Sequence, residues 1–136
     1  VDAAREQTVA GAGIKVLRDP TRGGVATTLN EIAQQSGVGM MLDEAAIPVR
    51  AQVAAACEFL GLDPLYVACE GRFVAFVAPA DADRALAVLR AHPVSAGSCR
   101  IGSVEAGADG LVTMTSTVGT RRVIDLPTGE QLPRIC

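Results

Sequence analysis

The segment DPTRGG, residues 19–24, contains residue types that could bind an anion. It precedes a stretch with helical periodicity, so Gly23 and Gly24 are predicted to lie in the first helical turn. Glycine amides at a helix N-terminus, next to the guanidinium of Arg22, can hold a phosphate group. Glycine costs about 1 kcal/mol relative to alanine inside a helix. Close packing of the helix on its own sheet is therefore the alternative explanation, and local sequence leaves both open.

The other polar residues of this segment could contribute in several ways. The hydroxyl of Thr21 is predicted to cap the helix, and Pro20 restricts the approach of the chain. Asp19 could cap the helix, pair with Arg22 or bind a metal-associated substrate. The segment matches neither the P-loop nor the dinucleotide-binding pattern, so its spacing does not identify a ligand.

Glu70, in the apolar stretch VACEGRFVAF, is a candidate general base. Partial burial raises the pKa of a carboxyl group and suits it to proton transfer. The alternative is an exposed turn residue beside Gly71, paired with Arg72. The local sequence is compatible with either role.

Cys136, the last residue of the sequence, follows Arg134 in the segment LPRIC. Its thiol could accept an acyl group. Arg134 favours the thiolate, whereas an α-carboxylate on the same residue opposes it. The prenylation pattern does not fit, because it requires the cysteine four residues from the end. A terminal segment bounded by prolines could carry a sulfur-bound group from one site to another.

The other cysteines are predicted to be small core residues rather than ligands or disulfides. Cys57, Cys69 and Cys99 show no C-x-x-C spacing, and the sequence contains one histidine. Zinc sites usually require such clusters. We therefore expect reduced thiols and no metal site within this chain.

Composition predicts one domain of ordinary type. The 136 residues are 49% hydrophobic but only 3% aromatic, so small and branched aliphatic residues should surround the aromatic side chains Tyr66, Phe59, Phe73 and Phe76. A net charge of −3 disfavours nucleic-acid binding. No apolar run approaches the roughly 20 residues that span a bilayer, and the first residues do not resemble a signal peptide. We expect a soluble cytoplasmic protein without a membrane segment.

Strands alternating with helices predict an α/β (α+β) fold, a mixed β-sheet covered by helices. Residues 1–11 are predicted to form a helical or linker segment, 12–126 the domain, and 127–136 a flexible tail. In the helix near 48–61, Val49, Val53, Cys57 and Leu60 form one stripe. The predicted strands are 14–17, 38–42, 66–68 and 72–79, and the last of these is predicted to be a central strand covered on both faces. Three further strands are predicted near 99–106, 110–117 and 121–126. Helices are predicted at 22–36, 48–61 and 80–93.

Three motifs together resemble the HypE family of hydrogenase maturation proteins: DPTRGG leading into VATTLNEIA, the segment CEGR, and above all the final PRIC. The resemblance covers essentially the whole chain and matches the C-terminal domain of that family. DPTRGG is shared more loosely across a superfamily that includes aminoimidazole ribonucleotide synthetase. The resemblance therefore implies the fold of those C-terminal domains.

The resemblance also implies a reaction. In that family the terminal cysteine, here Cys136, receives a carbamoyl group from the carbamoyltransferase HypF. ATP then activates the amide oxygen, and loss of phosphate gives a thiocyanate whose cyanide passes to iron on the HypC–HypD scaffold for nickel–iron hydrogenase. Glu70 matches the family's acidic residue and is the implied base. The residues implied to face the nucleotide are Asp19, Thr21, Arg22, Gly23 and Gly24.

The family's N-terminal domain is absent from this sequence. The resemblance implies that this domain supplies most ligands of ATP and Mg and much of the homodimer interface, so the chain alone is expected to be an inactive fragment. Two alternatives stay open. One is a non-catalytic module that docks the HypC–HypD scaffold, and the other is a domain of a small-molecule kinase from the same superfamily.

Overall fold

A computed structural model describes residues 13–107 and 109–126. The predicted segments 1–11 and 127–136, and with them Cys136, lie outside the described residues. Six strands and three α-helices occur in the described part: β1 (Ile14–Arg18), α1 (Gly24–Ser36), β2 (Val38–Asp43), α2 (Ala51–Leu60), β3 (Val74–Val77), α3 (Ala82–Arg90), β4 (Gly102–Ala106), β5 (Val112–Thr115) and β6 (Arg121–Val123).

The described chain divides into two compact units. Residues 13–19 and 71–100 form the first unit, and residues 20–70 with 101–126 form the second. The prediction of one domain over 12–126 did not anticipate this division. The chain passes between the units inside both motifs, between Asp19 and Pro20 and between Glu70 and Gly71.

The second unit is built on a four-stranded mixed sheet. The strand order is β4-β2-β5-β6, with β2 parallel to β5 and the other pairs antiparallel. Met40 lies opposite Val112, and Leu42 lies opposite Met114, so their side chains share one face of the sheet. Helix α1 packs against β2 and β5. The predicted mixed α/β fold is confirmed.

The core of this unit is aliphatic. Helix α1 and strands β2 and β5 supply most of its buried side chains: Ala26, Leu29, Ile32, Ala33, Met40, Leu42, Val112 and Met114. The predicted aromatic centre is wrong, since Phe59 is 90% exposed and Tyr66, Phe73 and Phe76 are only half-buried. Aromatic residues are large, but composition does not show which elements have a partner to cover them.

Helix α2 differs most from its predicted role. Only Cys57 of its residues is buried, while Val53 and Leu60 are exposed, as is Val49 just before the helix. Its sequence AQVAAACEFL is apolar around most of its circumference, so periodicity does not select a core-facing side. The stripe of Val49, Val53, Cys57 and Leu60 is therefore not a buried face of the helix. Cys69 and Cys99 are half-buried, and among the described residues the three cysteines form no disulfide bond.

The first unit contains a two-stranded antiparallel sheet of β1 and β3, followed by α3. Within the described residues β3 pairs with β1 alone, so the prediction of a central strand was wrong. The stretch 66–68 is not a strand, because Tyr66 ends a short 3-10 helix (Pro64–Tyr66) and Val67 lies in a bend. An apolar run indicates burial but does not specify the strand's partners.

Asp81 organises the start of α3 in the first unit. Its carboxylate accepts a hydrogen bond from the Gly13 N–H at 3.0 Å and another from Arg84 at 2.7 Å. The hydrogen bond from Arg84, followed by that from Gly13, lowers the pKa of Asp81 below its ordinary value of 3.8. The hydrogen bond from Gly13 therefore connects the residue just before β1 to the turn before α3.

Across residues 13–107 and 109–126, every helix is too short or too polar to span a lipid bilayer.

Candidate functional site

The DPTRGG loop leads into α1 through two consecutive left-handed glycines. Gly23 is the N-cap residue with φ 73°, and Gly24 begins the helix with φ 62°. The Gly24 N–H donates to the carbonyl oxygen of Thr21 at 3.0 Å, and the Thr27 N–H donates to that of Gly23 at 3.2 Å. The predicted hydroxyl cap by Thr21 is therefore wrong. The helix begins at Gly24, two residues later than its predicted start at Arg22. The left-handed conformation of Gly23 and Gly24 delays the start, because glycine adopts it without strain.

Gly24 is required for close packing within the second unit. A Cβ atom at this position would collide with the carbonyl oxygen of Leu65 and lie 2.6 Å from that of Val67. The backbone of α1 thus rests directly on the backbone of the segment 65–67. The packing explanation for the paired glycines holds for Gly24.

The first turn of α1 also has the features of an anion site. It contains no acidic side chain. The N–H groups of Val25 and Ala26 form no hydrogen bond with any other described residue. Arg22 is exposed beside them, and the buried Thr27 Oγ1 has no partner in the described part of the chain. Free amides at the positive end of a helix dipole suit a phosphate group.

Glu70 lies in an exposed turn with Gly71, whose φ is 73°. Of the two alternatives, partial burial of the carboxylate does not fit, because Glu70 is exposed. The apolar residues around it belong to two different elements, and the turn at Gly71 separates them. The alternative interpretation, an exposed turn acid, describes its position in this chain.

The structure joins the two motifs through their backbones. The Cys69 N–H donates to the carbonyl oxygen of Pro20 at 3.0 Å. Residues 20–24 of the DPTRGG loop and the segment that ends in Glu70 therefore lie side by side in the second unit. Asp19 is exposed and is the last residue of the first unit, while Cys136 lies outside the described residues.

A turn at 63–66 holds this segment in place. The Asp63 carboxylate accepts from the Leu65 N–H at 2.9 Å and from Arg122 at 2.8 Å. The Tyr66 hydroxyl donates to the carbonyl oxygen of Asp125 at 2.9 Å. The pair Asp63–Pro64 is a recognisable turn signal. Its partners near residue 125 are distant in sequence, and no local pattern identifies them.

Tyr66 acts as a hydrogen-bond donor in this arrangement. Burial, followed by the negative charge of Asp63, raises the pKa of Tyr66 above its ordinary value of 10.0. The hydroxyl therefore keeps its proton at neutral pH and continues to donate to Asp125. This excludes Tyr66 as a proton acceptor near pH 7.

No three or more His, Cys, Asp or Glu side chains within the described ranges cluster closely enough to hold a metal ion.

We predict that Gly24→Ala destabilises the second unit far more than Gly37→Ala. Both glycines have φ 62°, but a Cβ at Gly37 meets no atom within 4 Å. The left-handed conformation alone costs about 1–2 kcal/mol for alanine. The collision at Gly24 should add about 1–3 kcal/mol. Urea denaturation measures both changes, and equal losses would show that the contact with Leu65 is not tight.

Comparison with known proteins places this site in a family. Residues 1–114 match the family described as AIR synthase related protein, C-terminal domain. The chain is 63% identical over 124 residues to carbamoyl dehydratase HypE of Cupriavidus necator, covering 91% of this chain and 35% of that protein. It is 58% identical over 126 residues to carbamoyl dehydratase HypE of Rhizobium leguminosarum bv. viciae, covering 93% of this chain and 36% of the relative.

Solved structures agree with the sequence relatives. A crystal structure of hydrogenase maturation protein HypE matches with a TM-score of 0.92 and 47% identity, over 99% of this chain and 44% of that chain. HypE in complex with ATP matches at 0.90 and 43% identity, over 96% and 41% of the two chains. A HypE–HypF complex matches at 0.86 and 42% identity, over 93% and 41%.

The chain thus spans little more than a third of the length of the curated relatives that it matches. The family resemblance predicted from the motifs DPTRGG, CEGR and PRIC is confirmed. The chain belongs to the family of AIR synthase related proteins and corresponds to their C-terminal domain.

Proposed function

We propose that this chain is the C-terminal domain of an ATP-dependent carbamoyl dehydratase that acts on an S-carbamoyl group carried by Cys136. The product is a thiocyanate, which supplies cyanide for the iron of nickel–iron hydrogenase. The similarity to proteins named carbamoyl dehydratase HypE supports this proposal, as does the similarity to a HypE structure that contains ATP.

One observation carries the proposal most directly, the hydrogen bond from Cys69 N–H to the carbonyl oxygen of Pro20. It brings the start of α1, which can bind phosphate, beside the segment that ends in the carboxylate of Glu70. ATP-dependent dehydration requires phosphate binding and proton removal in the same place. The second unit thus contains candidate residues for phosphate binding and for proton removal.

The reaction balances without a redox step. The carbamoyl oxygen on Cys136 attacks the γ-phosphorus of ATP, the bond from phosphorus to the ADP oxygen breaks, and one amide proton is lost. The carbon–oxygen bond then breaks, phosphate leaves with the former amide oxygen, and the second amide proton is removed as the C≡N bond forms. The products are the S-bound cyano group, ADP and phosphate.

We assign the residues of this chain as follows. The N–H groups of Val25 and Ala26, with Arg22, hold phosphate oxygens. Gly23 has no side chain, and a Cβ atom there would collide with Thr27. Phosphate oxygens can therefore reach the N–H groups. Gly24 fixes the helix start against the neighbouring segment, and Asp19 and Thr21 belong to the same nucleotide-facing loop. Glu70 takes a proton from the amide nitrogen.

The remaining parts of the proposal concern the longer protein. An N-terminal domain supplies most ligands for ATP and Mg and the homodimer interface, so the isolated chain is inactive. HypF provides the carbamoyl group, in keeping with the solved HypE–HypF complex of a relative. The HypC–HypD scaffold receives the cyanide. The domain extends over 12–126, the segment 127–136 ends in the reacting Cys136, and the protein acts in the cytoplasm.

Cys136→Ala should abolish the modification in the full-length protein that carries this chain. With HypF, carbamoyl phosphate and ATP, intact-mass analysis should detect the added carbamoyl group and then the cyano group on the unaltered protein. The variant should gain neither, because no other thiol is the acceptor. Cys99→Ala is the matched control and should be modified normally. Modification of the Cys136→Ala protein would contradict the assignment.

Glu70→Gln should accumulate the carbamoylated protein. Removing a general base typically slows a reaction by about 10²–10⁴-fold. Loading by HypF should continue, since the thiol is unchanged, and mass spectrometry should show the carbamoyl adduct persisting after ATP is added. Glu58→Gln, an exposed acid on α2, is the control. Conversion of the Glu70→Gln protein at the normal rate would reject its role as the base.

A further inference from the structure

Helix α2 has an apolar outer surface that no described residue covers. Nine of its ten residues are exposed, and only Cys57 is buried. Gln52 and Glu58 are the polar members of the exposed set. The other exposed residues are small or apolar: Ala51, Val53, Ala54, Ala55, Ala56, Phe59 and Leu60. Phe59 is the most exposed large hydrophobic residue in the described part of the chain.

The other two α-helices are polar where they are exposed. The exposed residues of α1 are Gln34, Gln35 and Ser36, and three of the five exposed residues of α3 are charged. A helix as short as α2 is only marginally stable in water by itself. A helix that is apolar around most of its circumference is typical of a buried position. Helix α2 therefore has the composition of a covered helix.

The size of this surface indicates what kind of partner covers it. A helix of ten residues is about 15 Å long and about 10 Å across, so its outer side offers about 200–400 Å². A stable interface between separate proteins buries about 800 Å² on each partner. The surface of α2 is too small to hold two separate molecules together. It suffices for a domain of the same polypeptide, because a tether keeps the effective concentration near the millimolar range.

The relatives contain enough additional chain for such a domain. Two of them are matched over 35% and 36% of their length, so about two thirds of each relative lies outside the match. We propose that α2 is the surface of this chain on which the N-terminal domain of the longer protein docks, with Phe59 as the central anchor. This inference rests on the proposed function, in which the chain is one domain of a longer protein.

Photo-crosslinking in the full-length protein tests this proposal. Phe59 is replaced by p-benzoylphenylalanine, which keeps an aromatic ring at that position. Irradiation should link it to residues that precede this chain in the same polypeptide, so the product keeps the mass of one molecule. The same replacement at Val118, which is 82% exposed between β5 and β6, is the matched control. It should give at least about tenfold less of this product, because only groups in contact react.

Thiol labelling gives a second readout with a smaller change. Ala55 lies four residues before Phe59 on the same side of α2. In the full-length protein, Ala55→Cys should react with N-ethylmaleimide at least about tenfold more slowly than Val118→Cys, because a covered thiol is inaccessible. Peptide mass spectrometry locates the label. Adding Phe59→Glu should restore the rate, since it places an unpaired charge in the interface. Val94→Glu, at a 77% exposed position in the first unit, is the control and should not.

Links from position 59 to a second copy, seen as a doubled mass, would overturn the inference, as would links only within this chain or no link at all. Equal labelling of Ala55→Cys and Val118→Cys would show that α2 faces solvent, and would overturn it whatever the crosslinking yield. If the unaltered protein failed to convert carbamoylated Cys136, the proposed reaction alone would fall. That result is distinguishable, because neither crosslinking nor labelling depends on turnover.

Discussion

The close contact between the first residue of α1 and the carbonyl groups of Leu65 and Val67 constrains the rest of the second unit. With no side chain at Gly24, the two backbones meet directly. This contact sets where the free amides of Val25 and Ala26 point. It also sets where the following residues run, so that Cys69 can donate to the Pro20 carbonyl oxygen. The amides at the start of α1 and the segment that ends at Glu70 lie near each other because of this contact.

Helix α1 also holds Ile124, which lies after the last strand of the second unit. Its buried Asn30 amide holds the Ile124 carbonyl oxygen as well as that of Ala26 in its own helix. An unpaired buried carbonyl would cost about 1–3 kcal/mol, so this connection is maintained strongly. The helix that begins at the candidate anion site therefore also fixes the residues that precede the PRIC segment. The candidate anion site and Ile124 are therefore both held by helix α1.

The sequence predicted most elements well and the side-chain environment less well. Strands β1 and β2 and helix α1 follow clear periodicity and glycine caps, which are local signals. The exposure of Phe59 and the two-stranded pairing of β3 depend on which elements lie nearby, and no local pattern contains that information. At the site, DPTRGG was identified from residue type alone. The Tyr66–Asp125 contact joins residues far apart in sequence and was invisible before the fold was known.

In the reaction that we propose, the oxygen of the carbamoyl group on Cys136 leaves as part of phosphate, and isotope labelling can follow that oxygen. Full-length protein carrying an ¹⁸O-labelled carbamoyl group on Cys136 is mixed with unlabelled ATP in ordinary water, and the released phosphate is analysed by mass spectrometry. The proposed reaction releases one phosphate for each thiocyanate formed, and each of these phosphates should contain one ¹⁸O atom. Unlabelled phosphate, with the label found in water, would contradict it.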